Sequence, residues 1–283
     1  MGFCMGKLDV NNENGPFVLS LEGLQVSYAK DRTLIRAVDG LSLTLLKGQT
    51  LCLVGESGSG KTSLALAIPR LLPLTAVVQG KLEFLGLNVL TMPREHLYEL
   101  RRRKVSVIFQ DAVGSLVPGT RVGTQLARAL KYRLGISGRD DLIKKSRALL
   151  DAVGLDDRER VLSCYPHELS GGMCQRVMIA LALSAQPALL LADEPLSSLD
   201  AISQVRILDL LFNLQKQHGF AMLYVTHDLR VASRFDNLGV LRHGRLVEYG
   251  PTRNLLRAPA ADYTKELLNA VSALGTLEMR TGQ

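Results

Sequence analysis

The 283-residue sequence predicts an α/β fold, and three observations carry that expectation. Leu51-Cys52-Leu53-Val54, Leu189-Leu190-Leu191-Ala192 and the run 222–225 are short apolar segments of the kind that form strands buried on both faces. Each ends in polar residues: a glycine-rich stretch, an Asp-Glu pair and a Thr-His pair. From Val122 to about Leu155 the apolar spacing turns helical. Strands that deliver polar groups at their carboxyl ends are typical of an open α/β sheet, which binds ligands outside that edge.

The elements follow in order. Residues 1–16 read as a flexible tail, with Asn11-Asn12-Glu13-Asn14-Gly15-Pro16 as a breaker cluster, so order should begin near Phe17. Alternating Leu21, Leu24 and Val26, then Leu41, Leu43 and Leu45, predict an antiparallel β layer. Lys47-Gly48 turns the chain into the strand 51–54. Gly55, Glu56, Ser57, Gly58, Ser59, Gly60, Lys61 and Thr62 then fit the P-loop pattern, between that strand and a helix-forming stretch at 63–68 that opens with Ser63. A triphosphate is best wrapped by backbone N–H groups at a helix N-terminus, and glycines let the backbone approach closely. Lys61 would reach the β- and γ-phosphates, and the Thr62 hydroxyl would take a position on Mg²⁺.

Residues 93–100 read as a helix whose C-terminus is capped by Arg101-Arg102-Arg103-Lys104, where cations suit the helix dipole. Gly135-Ile136-Ser137-Gly138 should break the run 122–155 into two helices. Ser170 has the character of an N-cap for a helix over 173–183. The strand 189–192 carries Asp193 and Glu194 to the sheet edge, where Asp193 suits a Mg²⁺ role and Glu194 could polarise the water that attacks the γ-phosphate. His227 follows the strand 222–225, and 238–249 reads as a hairpin with a His243-Gly244 turn. A short helical tail comes after Gly250-Pro251, and its plainest reading is a clamp over the core.

Leu169-Ser170-Gly171-Gly172, upstream of the Asp193-Glu194 strand, is the signature of ATP-binding cassette (ABC) proteins, and the chain resembles that family over about residues 18–271. The resemblance implies a P-loop NTPase core at 17–250 with an antiparallel β layer, a helical subdomain inserted at about 112–178, and a C-terminal extension at 251–283. It implies that Tyr28 stacks on adenine, although a strand Tyr alone reads equally well as packing. It implies that Gln110 touches Mg²⁺ or its water and connects to the helical subdomain, and that His227 contacts the γ-phosphate. Ser197-Ser198-Leu199-Asp200 resembles the loop that crosses the dimer interface. Ser170, Gly171 and Gly172 would face the ATP held by a second cassette.

Within the family the chain is most similar to ATPase subunits of bacterial peptide, opine and nickel uptake transporters. Three stretches carry this: Leu169 through Arg176, Phe109-Gln110-Asp111 with Ser115-Leu116-Val117-Pro118, and the tail from Glu248-Tyr249-Gly250-Pro251 to Asp262-Tyr263-Thr264-Lys265. Ala112, Val117, Cys174 and Ala261-Asp262 depart from that subfamily's usual letters. The resemblance implies an ATPase coupled to import of a small solute. It would work with ATP and Mg²⁺, a second and related cassette, two membrane permease subunits and an extracytoplasmic solute-binding protein. Its place would be the cytoplasmic face of the inner membrane, as a peripheral subunit. Export is the alternative within transport, and a soluble ABC protein acting on ribosomes or nucleic acid lies outside it. The cargo is not encoded in such a subunit.

Composition trims the other classes. The net charge is +7, but no aromatic interleaving accompanies the basic residues, which argues against nucleic acid as a partner. No apolar run approaches the ~20 residues a spanning helix needs. Residues 1–14 lack the apolar core of a signal peptide, and Met1-Gly2 lacks the Ser or Thr of a myristoylation site. Cys4, Cys52, Cys164 and Cys174 show no metal-ligand spacing, and Cys52 should be buried in its strand.

Overall fold

The computed structural model describes residues 17–30 and 33–273. The expected tail at 1–16 and the end of the extension, 274–283, lie outside the described residues. In chain order the elements are β1 (Phe17–Lys30), β2 (Thr33–Leu46), β3 (Thr50–Val54), α1 (Lys61–Ala67), β4 (Ala76–Phe84), β5 (Leu87–Asn88), α2 (Arg94–Arg103) and β6 (Val105–Ile108). The helical stretch holds α3 (Ala112–Ser115), α4 (Val122–Leu134), α5 (Arg139–Ala152), α6 (Arg158–Ser163) and α7 (Gly171–Leu183). After it come β7 (Leu189–Asp193), α8 (Ala201–His218), β8 (Ala221–Thr226), α9 (Leu229–Ala232), β9 (Asn237–Arg242), β10 (Arg245–Pro251), α10 (Thr252–Arg257) and α11 (Asp262–Ala273).

The larger sheet has the order β10-β9-β3-β8-β7-β6 and is parallel except at β10–β9. Every residue of β3, β7 and β8 is buried, as a parallel sheet covered on both faces requires. Side chains alternate between the faces. Leu51, Leu53, Leu189, Leu191, Leu223 and Val225 enter one core with β1, β2, β4 and α1. Cys52, Val54, Leu190, Ala192, Met222 and Tyr224 enter the other, against α7, α8 and the helical stretch. The registers Val54↔Thr226, Asp193↔Val225 and Ile108↔Ala192 bring the carboxyl ends of β3, β8, β7 and β6 to one edge.

The smaller sheet, β2-β1-β4-β5, is the expected antiparallel layer, with Leu24 opposite Leu41 and Leu21 opposite Leu43. The break at 135–138 is also present, with Gly135 closing α4 at φ 73°. The subdomain boundary expected near 178 falls inside α7, which continues to Leu183 and packs on β6, where the Ser106 hydroxyl donates to Ala182 O at 2.7 Å. The basic run does end α2, but it does more than cap its own helix. Arg101 Nε donates to Pro69 O at 2.6 Å and the guanidinium also reaches Arg70 O, so it closes the chain leaving α1.

Two late segments return to the core. Leu255 of α10 with Tyr263 and Leu268 of α11 join the cluster of α7 and α8, in line with a clamp. The β9–β10 hairpin turns at His243 and Gly244, with φ of 49° and 79°. Two consecutive positive φ angles match the right-handed twist of a two-residue hairpin. Its tip docks between β2 and the glycine-rich loop: Gly244 N donates to Ser59 O at 3.0 Å, and Asp39 N donates to Gly244 O at 2.8 Å. A Cβ on Gly244 would stand 2.8 Å from Ala37 O. Gly244→Ala should therefore lower the unfolding free energy by about 1–3 kcal/mol, read as a lower denaturant midpoint with an unchanged slope.

Candidate active site

The loop 55–60 leaves β3 and delivers Gly60 to the N-cap of α1, in a left-handed conformation with φ 101°. A Cβ at Gly60 would lie 2.0 Å from Ala37 O, so only glycine fits this close approach. No side chain caps α1, which leaves its first N–H groups directed at the space outside the sheet edge. Lys61 is buried, and its Nζ donates to Gly55 O and Glu56 O at 2.8 Å and to Ser59 Oγ at 3.2 Å. Burial lowers its pKa, opposed by the carboxylates of Glu194 and Asp193. An ammonium held by neutral acceptors gains strongly by exchanging them for phosphate oxygens.

Thr62 Oγ1 donates to Asp193 Oδ1 at 3.1 Å. Burial raises the Asp193 pKa, with the Thr62 bond pulling it down, Glu194 pushing it up and Lys61 pulling it down. One residue on, Glu194 leaves the strand with φ 45°, while its N–H still donates to Val225 O at 2.9 Å. A non-glycine residue in the left-handed region is strained. Glu194 Oε2 lies 3.1 Å from His227 Nδ1, so the tautomer with its proton on Nδ1 donates to the carboxylate.

Gln110 is exposed two residues beyond Ile108, whose partner Ala192 immediately precedes Asp193. Tyr28 lies between Ile35 and Ala76 of the neighbouring strands, and its hydroxyl donates to Ser63 Oγ at 3.0 Å. The tyrosine is thus half-buried and tied to the first turn of α1. Asp200 caps α8 by accepting from Ser203 N at 2.9 Å. The Ser203 bonds hold its carboxyl below the usual range.

Apart from Asp200, the predicted residues fall into two groups. Gly55 through Ser63, Tyr28, Gln110, Asp193, Glu194 and His227 gather at one sheet edge. Ser170, Gly171 and Gly172 open α7, where Ser170 Oγ accepts from Met173 N at 3.3 Å and Gly171 lies beside Leu199. Among the described residues, this trio makes no hydrogen bond to the loop 55–62.

Sequence reasoning missed three contributors. Gln204 Nε2 donates to Leu196 O at 3.0 Å and Leu199 O at 3.1 Å, fixing the loop that leads from Glu194 to Asp200. Tyr263 accepts from Glu56 N at 3.4 Å, and Arg242 lies over its ring, 4.4 Å from the centroid. Only the amide one turn into α8 left a local signal.

The family described as ABC transporter matches residues 38–197. The oligopeptide transport ATP-binding protein OppD of Salmonella typhimurium (strain LT2) is 41% identical over 258 residues, covering 91% of this chain and 77% of that one. The peptidoglycan transport ATP-binding protein YejF of Agrobacterium fabrum is 40% identical, over 89% of this chain and 47% of that one. The glutathione import ATP-binding protein GsiA of Escherichia coli is 38% identical, over 96% of this chain and 44% of that one. Among solved structures, the dimeric bacterial ABC transporter cassette MJ0796 matches with a TM-score of 0.74 at 28% identity, covering 83% of this chain and 99% of that one.

Glu194→Gly should unfold at a temperature no lower than the unsubstituted chain, because glycine relieves the strain, and yet lose ATP turnover. Calorimetry alongside a phosphate-release assay checks both halves.

Proposed function

This chain belongs to the ABC transporter family, and on that premise we propose that it is the ATP-hydrolysing subunit that energises import of a small solute, a peptide or peptide-like molecule. The observation that carries the mechanism is the convergence of Lys61, the Thr62–Asp193 pair and the Glu194–His227 pair at one edge, while the Ser170 helix start stands apart.

Backbone N–H groups of the loop and of the first turn of α1 bind the phosphates, and Lys61 moves from Gly55 O and Glu56 O to the β- and γ-phosphate oxygens. Tyr28, held by Ser63, packs against the adenine. The oxygens of Thr62 and Asp193, 3.1 Å apart, are hard donors that fit Mg²⁺, with the Gln110 amide alongside. Bound there, Mg²⁺ would neutralise charge on the β- and γ-phosphates. Glu194 accepts a proton from the water that attacks the γ-phosphorus as the bond to the ADP oxygen breaks, and His227 orients that carboxylate. Asp193, more deeply buried than Glu194 and tied to Thr62, serves the metal side, which separates the two roles.

Ser170, Gly171 and Gly172 belong to the ATP of a second cassette, arranged head to tail, and Asp200 caps the helix after the loop that would cross between them. The dimeric state reported for MJ0796 supports this arrangement. The remaining partners are two membrane permease subunits and an extracytoplasmic solute-binding protein, with this subunit on the cytoplasmic face of the inner membrane. No described helix is long and apolar enough to cross a membrane, in keeping with a peripheral subunit.

Glu194→Gln should keep ATP binding, lower turnover by about 10²- to 10⁴-fold and accumulate as an ATP-bound dimer, seen by light scattering after size exclusion. Wild-type turnover by this variant in the assembled complex would remove Glu194 from the role of base. Lys61→Ala should lose ATP binding altogether, measured by calorimetric titration. Purifying the intact complex and identifying its subunits and cargo tests the transport assignment.

A further inference from the structure

The peptide unit between Gly55 and Glu56 is gripped at both polar ends. Its carbonyl, Gly55 O, accepts from Lys61 Nζ at 2.8 Å, and its amide, Glu56 N, donates to the Tyr263 hydroxyl at 3.4 Å. The first grip is internal to the loop. The second comes from the opening turn of α11, at a sequence separation of 207.

Tyr263 is set firmly enough to act as a fixed post. It is 4% exposed, and the Arg242 guanidinium from the end of β9 covers its ring. The entry to α11 is fixed in turn by Glu248 of β10, whose carboxylate accepts from Ala260 N at 2.8 Å and Ala261 N at 3.2 Å. Two strands of the main sheet thus determine where this hydroxyl stands. Ring packing alone could be met by phenylalanine, so the hydroxyl has a separate task.

We infer that Tyr263 is a positioning residue for the nucleotide loop, and that through it α11 sets the affinity for the triphosphate. To reach phosphate oxygens, Lys61 must release Gly55 O and Glu56 O. At that moment the Tyr263 bond is the remaining hold on the Gly55–Glu56 peptide among the described residues, and it keeps that peptide from rotating as the loop exchanges one set of partners for another. Apparent affinity scales with the fraction of molecules whose loop is already in the binding shape, so a loosened loop binds more weakly even though no group that touches the nucleotide has changed. The inference rests on the reading of residues 55–62 as the ATP site.

The test compares Tyr263→Phe in the full chain with the unsubstituted protein and with Tyr249→Phe, which removes a hydroxyl that bonds Thr44 O far from the loop. Titration with a fluorescent ATP analogue should show Tyr263→Phe binding about three- to tenfold more weakly, the loss expected for one hydrogen bond, with its melting temperature no lower than that of the Tyr249→Phe control. In the assembled transporter, KM for ATP should rise by a similar factor with kcat unchanged. Hydrogen exchange without nucleotide should be faster over residues 55–60 in Tyr263→Phe only. An unsubstituted chain that binds no ATP sinks the function proposed above and this inference with it. An unsubstituted chain that binds ATP, with Tyr263→Phe matching it in affinity and exchange, sinks this inference alone. A loss of affinity matched by Tyr249→Phe also overturns it, since a general loosening would then be the cause.

Discussion

In-register parallel pairing of β3, β8, β7 and β6 is the constraint from which the candidate site follows. Buried parallel strands cannot carry polar side chains through their middles without partners, so the chemistry-bearing residues are confined to the strand ends. Because Val54, Thr226, Asp193 and Ile108 are linked through one ladder, those ends arrive side by side. The loop, the Asp-Glu pair and the histidine are far apart in the chain, yet their proximity needs no further device than the register. Supports then refine the placement: Arg101 closes the chain after α1, Gln204 holds the loop after Glu194, and the β9–β10 turn backs the glycine-rich loop.

The two groups of predicted residues differ in how complete they are within one chain. The sheet edge assembles its acids, lysine and threonine by itself and tolerates the cost of doing so. Glu194 holds a strained backbone angle, and Asp193 is buried beside another carboxylate, a cost that a bound cation would offset. The Ser170 helix start is a finished cap with an outward face and no complement beside it among the described residues. On the proposed head-to-tail arrangement, a site divided in this way would link nucleotide binding to association, because phosphate charge would be shared by surfaces that come together only in the pair.

Much of this was legible in the sequence because the informative patterns are local. A P-loop occupies eight adjacent positions, an N-cap lies three residues from the amide it serves, and alternation over a few residues marks a strand. The Asp193–Thr62 meeting was also within reach, since both motifs imply one edge. What escaped depends on distant packing. Nothing near Tyr263 or Glu56 signals their contact, and nothing in Arg101-Arg102-Arg103-Lys104 says that Arg101 turns to α1. No local signal marks where the helical stretch rejoins the sheet, because α7 packs on β6 as well as on α3, α4 and α5 and its composition does not change along its length.

The backing of the glycine-rich loop also orders events during synthesis. Ser59 O finds its partner in Gly244, and Thr50, at the head of β3, bonds Asp236 across a separation of 186 residues. A growing chain that has left the ribosome only as far as α8 holds every residue of the loop but neither β8 beside β3 nor the hairpin behind it. Competence to hold nucleotide therefore arrives late in translation, and long-range closure of this kind slows folding. Until then the apolar flanks of β3 are open to solvent, and this interval is when such a chain is most exposed to chaperone capture or aggregation.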